Sequence, residues 1–349
     1  MKCATIIAGV LLIAPPVLGH HSDAGLDMES VITLEGTVTG YYFRNPHVYF
    51  TLETDDENGE AVEWTLQMGG TITTGRMGWT RDTLVDGDRI TVEAHPEVNG
   101  RPYGLVESVE KETGTISSYI DGYGNSNTAL YESDVTASTT TLEGKWMANS
   151  SELVSYPGGF DGFFIANLEL TERGRRARTE YDPLSSDNPE ATCIGRPTPA
   201  MLVSSNLYPI EIIFSDDEEI ITIRTDYWDE VRTVYMDGRG HPDGDERFQT
   251  GHSIGFWDGD TLVVDTRNFS DHRSPYQIGV PSGGQKHVLE RYSLIENGAR
   301  IAVEFILEDS EYIAEPLTHS RELIYSPHLQ STRFDCDPEA TRRFVLPSN

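Results

Sequence analysis

The chain has 349 residues, with 57 Asp and Glu against 26 Lys and Arg, for a net charge of -31. That balance excludes nucleic acid and anionic membrane surfaces as natural partners, since both attract basic patches. A hydrophobic content of 37% is enough for sizeable cores, and the length suggests two domains.

In chain order, residues 1–19 read as a secretion signal. Lys2 supplies the positive charge, Ala4 to Ala14 the apolar core, and Val17-Leu18-Gly19 the residues before cleavage. No later segment approaches the ~20 apolar residues of a membrane-spanning helix. Export leaves two cysteines, Cys193 and Cys336. In a periplasmic or secreted protein this even pair is expected to form a disulfide, the other reading being two buried thiols. The only lysines are Lys2, Lys111, Lys145 and Lys286. A dense acidic surface with few lysines suits a salty medium, which screens self-repulsion.

Residues 20–112 carry about five short alternating runs, at 33–39, 48–54, 61–67, 89–94 and 104–109. A Gly-rich interruption at 68–79 has room for a short helix. This pattern predicts a small OB-like Greek-key barrel. Residues 113–140, rich in Ser, Thr, Gly, Asn and Asp, read as a linker or exposed loop. Residues 141–349 show further strands at 210–214, 220–225, 232–236, 261–266, 287–294 and 300–307, with one helix near 168–178. Regular strands without intervening helices predict a larger antiparallel, lipocalin-like barrel. Gly144-Lys145-Trp146 is similar to the Gly-x-Trp of lipocalin-type barrels. The fold class is therefore all-β.

The stretch from Arg232 to Thr266 is the most organised. Two strand-like runs flank a loop bounded by the turns Asp237-Gly238 and Asp258-Gly259, and Gly tolerates the positive φ such turns need. His252 lies between Gly251 and Gly255, which leave backbone room for a ligand to approach. His is the side chain most easily tuned for acid/base work near neutral pH, and Asp265 is placed to orient it. Asp258 is the third candidate catalytic residue. Arg232, Tyr235, Asp237, Arg239, His241 and Trp257 are the candidate ligand-binding residues. If the two runs pair, His252, Arg239 and Asp258 are expected to line one cleft at a barrel mouth. The structural alternative is an Arg232–Asp265 cross-strand pair with Trp257 in the core.

A second candidate site is a metal centre at the mature N-terminus. Cleavage after Gly19 makes His20 the first residue, so its amine and imidazole can chelate one ion. His47 or His21 would complete a histidine brace, and such nitrogen ligands suit copper. No Gly-x-Ser-x-Gly, P-loop, Rossmann, His-Glu-x-x-His or Cys-x-x-Cys pattern occurs, which disfavours those chemistries.

Several blocks together resemble a family of secreted bacterial proteins. His20-His21-Ser22, Asn45-Pro46-His47 and Gly78-Trp79-Thr80-Arg81-Asp82 are similar to the domain of unknown function numbered 6152. Tyr235 to Arg239, His241-Pro242, Gly251 to Gly255 and Trp257 to Thr266 resemble a C-terminal module of similar secreted proteins. The resemblance implies an exported two-domain β protein and no established reaction. Two functions are expected from the residues: a periplasmic binding protein or enzyme for a small, partly apolar ligand, or a periplasmic copper protein.

Overall fold

The computed structural model describes residues 26–56, 58–112, 114–117, 137–149, 156, 159–182, 185–243 and 245–342. The signal segment, His20 and His21 lie outside these residues, as does most of the 113–140 stretch.

The first barrel uses the five predicted runs. They are β1 (Ile32–Tyr42), β2 (Tyr49–Asp55), β3 (Ala61–Gln67), β4 (Arg89–Pro96) and β5 (Tyr103–Lys111), hydrogen-bonded in the order β3-β2-β1-β4-β5. A short parallel pairing of β3 with β5 closes the barrel. The helix α1 (Thr71–Arg76) fills the interruption between β3 and β4. Period-2 alternation turns Phe50, Leu52, Leu66, Val92 and Val109 inward, around the fully buried Trp79. The linker expectation needs correction at its start. Gly114–Ser117 forms a sixth strand, β6, on β5. It is held in part by the Trp79 Nε1–H, which donates to the Ser117 carbonyl at 2.9 Å.

The second barrel is closed by nine strands: β7 (Gly144–Ala148), β8 (Ile210–Phe214), β9 (Ile220–Thr225), β10 (Val231–Tyr235), β11 (His252–Asp258), β12 (Thr261–Arg267), β13 (His287–Ile295), β14 (Arg300–Glu308) and β15 (Leu317–Tyr325). That is one strand more than the eight of a lipocalin. Every pairing is antiparallel except β10–β11. The 236–251 loop carries the chain back along the wall before β11 starts, so β11 runs in the same direction as β10. β11 therefore separates the two runs expected to be neighbours, and His252 opens a strand instead of sitting in a loop.

Alternation puts Val288, Glu290 and Tyr292 of β13, Val264 and Thr266 of β12, and Arg232 and Val234 of β10 inside the barrel. The helix α2 (Gly159–Asn167) adds Phe163 and Phe164 to this core. The expected helix near 168–178 is α3 (Glu172–Thr179), capped by the Thr171 hydroxyl, which accepts from the Gly174 N–H at 3.0 Å. Two short helices, α4 (Ala200–Val203) and α5 (Pro338–Arg342), complete the fold. Among the described residues no helix is long and apolar enough to cross a membrane.

Cys193 and Cys336 are disulfide-bonded, across 143 residues of chain. The Cys336 segment also docks the two barrels. The Asn45 amide donates to the Phe334 carbonyl at 2.7 Å, the Asp337 N–H donates to the Asn45 carbonyl at 2.9 Å, and Arg44 pairs with Asp337. The Asn45-Pro46-His47 block thus sits at the contact between the barrels.

Candidate functional site

Residues of β11 to β14 that point outward at one end of the second barrel converge on Asp265. Ile254 of β11 lies opposite Asp265, and Asp265 lies opposite Leu289 of β13. His252 and His287 are each two residues from those partners, so all share the outer face. Glu308 of β14 is directly opposite His287. His241 folds over this face from the β10–β11 loop.

The side chains form one continuous hydrogen-bond chain. The two Nδ1 atoms of His252 and His241 are 3.1 Å apart. His241 Nε2 lies 3.0 Å from Asp265 Oδ1, and His287 Nε2 lies 3.1 Å from the same oxygen. His287 Nδ1 then lies 3.0 Å from Glu308 Oε2. Arg267 Nε donates to Asp265 Oδ1 at 3.1 Å.

Proton positions follow from the acceptors. Carboxylates only accept, so His287 donates from both ring nitrogens and is an imidazolium. Its pKa is correspondingly raised, chiefly by the hydrogen bond to Asp265. Burial alone would raise Asp265, but donation from His287 and Arg267 outweighs it and holds the carboxyl below its usual range. His241 donates its Nε2–H to Asp265, which leaves Nδ1 as an acceptor for the Nδ1–H of His252. Burial and the neighbouring His241 push the His252 pKa down, which keeps that ring neutral. Asp265 and Glu308 therefore balance His287 and Arg267 in charge.

His252 is only 9% exposed. It stacks on Tyr235 at 5.1 Å between ring centroids and meets Phe248 at 5.6 Å. Arg239, paired with Asp237, also lies over the Tyr235 ring, at 4.0 Å from its centroid. Tyr235, Asp237, Arg239, His241, His252 and Asp265 lie together, but Asp265 reaches His252 only through His241 and does not orient it directly. Three others do not join them. Arg232 lies inside the barrel, 2% exposed, where it pairs with Glu290 and not with Asp265. Asp258 and Trp257 sit at the far end of β11, about 20 Å from His252 at ~3.3 Å per residue. Asp258 pairs there with Arg291 at 2.8 Å, and Trp257 is 48% exposed, outside any core. The expected cleft of His252, Arg239 and Asp258 is therefore not formed.

The glycines also have another role than expected. A Cβ on Gly251 would lie 2.6 Å from Thr266 Cγ2, and one on Gly255 would lie 2.8 Å from Val234 Cγ1. The protein's own side chains fill the space that the sequence reading left for a ligand.

A cleft of about 320 Å³ opens instead at the β13–β14 end of the chain of hydrogen bonds. His287, Glu308 and Asp309 line its polar side, and Ile313, Ala314 and Pro316 its apolar side. His287 and Glu308 were missed as site residues, because strand register is not written in the sequence. The signal was there in part: His287 opens a predicted strand at an outward position.

Of the metal candidates, only His47 lies within the described residues. Burial, and then the charge of Arg196 from the second barrel, lower its pKa to about 4. A neutral imidazole is the form a metal takes, whereas a nearby guanidinium opposes a cation. Among the described residues no group of three or more His, Cys, Asp or Glu is arranged to hold a metal ion.

Fold and site together define a two-barrel, disulfide-linked β protein with a histidine–carboxylate network on the wall of its larger barrel. Residues 9–107 match the family described as "Family of unknown function (DUF6152)", which covers the first barrel up to β5 and leaves the network outside it. No curated protein and no solved structure matches the chain.

Proposed function

We propose that this is an exported binding protein for a small, partly apolar molecule, with its site in the cleft beside His287. One observation carries the reading: an unbroken hydrogen-bond chain from His252 ends on His287 and Glu308, two of the residues that line the cleft. Ile313, Ala314 and Pro316 offer the apolar part of a ligand a surface. Glu308 is half-exposed, so a ligand can compete with it for His287. A polar acceptor on the ligand then takes its place on the His287 imidazolium. The network equips the site for proton transfer, since His287 is the acid at the cleft and Asp265 stabilises its charge. His252 acts at a distance, through His241, because aromatic rings cover it. The disulfide supports a location outside the cytoplasm, periplasmic or secreted, where such bonds persist.

A thermal-shift screen of small carboxylates, alcohols and amines against the full chain tests this. Compounds that raise the melting temperature of the wild type should fail to do so for His287→Ala. A screen without hits, or hits indifferent to His287, would remove the reading.

A further inference from the structure

The interior of the second barrel holds a lysine that the histidine network does not use. Lys286 lies at the same inward parity as Val288, Glu290 and Tyr292, and is 1% exposed. The turn that brings it inward is closed by its own N–H, which donates to the Gly283 carbonyl at 3.0 Å. Its Nζ sits 4.4 Å from the centroid of the Phe269 ring and 5.4 Å from that of Tyr276. Among the described residues this Nζ meets no hydrogen-bond partner. Asp309 Oδ2 and Tyr276 Oη are likewise buried without one. Three Nζ–H donors left bare inside a protein are costly, so such a lysine tends to be neutral or to have an occupant.

We propose that Lys286 is a nucleophilic amine that forms an imine with small aldehydes entering from the cleft. Lys286 points inward behind the cleft wall, and Asp309, whose charge acts on it, is the residue that the cleft and the lysine share. Burial lowers the lysine pKa to about 7, against the opposing charges of Glu230, Asp309 and Glu290, with Arg232 adding to the fall. The amine therefore gives up its proton far more readily than an ordinary lysine, which is almost wholly protonated at pH 7. Burial also raises Asp309, which favours its acid form.

The step balances without any oxidant or reductant. The Nζ lone pair attacks the carbonyl carbon, and the carbonyl electron pair moves to oxygen, which takes the proton released by nitrogen. Asp309 then protonates the hydroxyl, which leaves as water while the C=N bond forms. The second proton from nitrogen returns to Asp309. This inference rests on the proposed cleft but not on the histidine network.

The test uses propanal and cyanoborohydride with the full-length protein near pH 7, followed by peptide mass spectrometry. The low lysine count makes it clean: Lys111 is paired with Asp88, and Lys145 Nζ donates to the Leu329 carbonyl at 2.7 Å. Propylation of Lys286 should outrun that of Lys111 and Lys145 by at least about tenfold, a preference lost in guanidinium. Asp309→Asn should slow it while the protein stays folded by circular dichroism. His287→Ala should keep the labelling, so a failed ligand screen and a failed imine are separate results. A Lys286 that labels no faster than Lys145 in the native protein, or not at all, overturns the inference.

Discussion

His252 and His241 face each other through their Nδ1 atoms at 3.1 Å, so only one of the two nitrogens carries a proton. Both rings cannot be cations at that distance. The proton order set by Asp265 makes His241 the acceptor. Side-chain NMR titration should then find His252 below the ordinary histidine value and His287 above it. Asp265→Asn should bring His287 back down toward 6.5. The signs define a window. The raised His287 stabilises fully below its unfolded value and loses that effect as pH rises through its folded pKa. The lowered Asp265 stabilises above its unfolded value and loses that effect as pH falls through its folded pKa. The pair therefore contributes most between about pH 4 and 6.5.

Acid sensitivity should come from a different histidine. His272 is 6% exposed, donates its Nε2–H to the Gly195 carbonyl at 3.1 Å and accepts the Ser274 N–H on Nδ1 at 3.1 Å. A proton on Nδ1 would face that N–H. Burial, then the charges of Arg196 and Lys286, lower its pKa to about 3. Because the folded value is depressed, stability is full above pH 6.5 and falls as the pH drops toward 3. The loss is on the order of 5 kcal/mol at ~1.4 kcal/mol per pH unit. Urea titrations from pH 7 to 4 should show this slope, and His272→Gln should flatten it. An unchanged slope in the variant would assign the effect elsewhere.

The Cys193–Cys336 bond closes a loop of 143 residues in sequence separation. On the chain-entropy model such a bond contributes about 3–5 kcal/mol. The double Cys→Ser variant should lose that much in denaturant unfolding. It should also loosen the docking of the barrels, because Phe334 and Asp337 flank Cys336 and hold Asn45 and Arg44. Faster hydrogen exchange at Asp337 N–H, relative to the β2 core, reports the second effect.

Inside the larger barrel, Arg232 and Glu290 pair bidentately, with one bond at 3.1 Å, and Thr198 donates to Glu290 at 2.7 Å. Glu290→Gln should cost about 3–5 kcal/mol, since it strands a buried guanidinium. The double change Arg232→Met, Glu290→Leu should cost much less. Equal losses in the two proteins would mean that packing, not charge, governs the site.

Much of the architecture was legible because strands that bury one face alternate. The pattern of β12, Thr261-Leu-Val-Val-Asp-Thr, leaves little choice, and the five runs of the first barrel behave alike. β11 was hidden because His252 to Asp258 lies between Gly-rich turns and reads as a loop. β15 was hidden because inward positions carry His319 and Arg321, which break the apolar period. Arg321 Nη1 donates to the Val203 carbonyl at 2.6 Å, a contact from across the fold. The site was legible in part for the same reason. Residues near His252 in sequence, such as Tyr235 and His241, were found. His287 and Glu308 reach Asp265 only through strand register.

The most direct test is the affinity of one stabilising compound from the screen, measured by calorimetry for the wild type, His287→Ala and Asp258→Asn. If the cleft beside His287 is the binding site, His287→Ala weakens binding by at least about tenfold, or about 1.4 kcal/mol. Asp258→Asn, at the far end of β11, binds as the wild type does. Wild-type affinity in His287→Ala, or an equal loss in Asp258→Asn, would contradict the account.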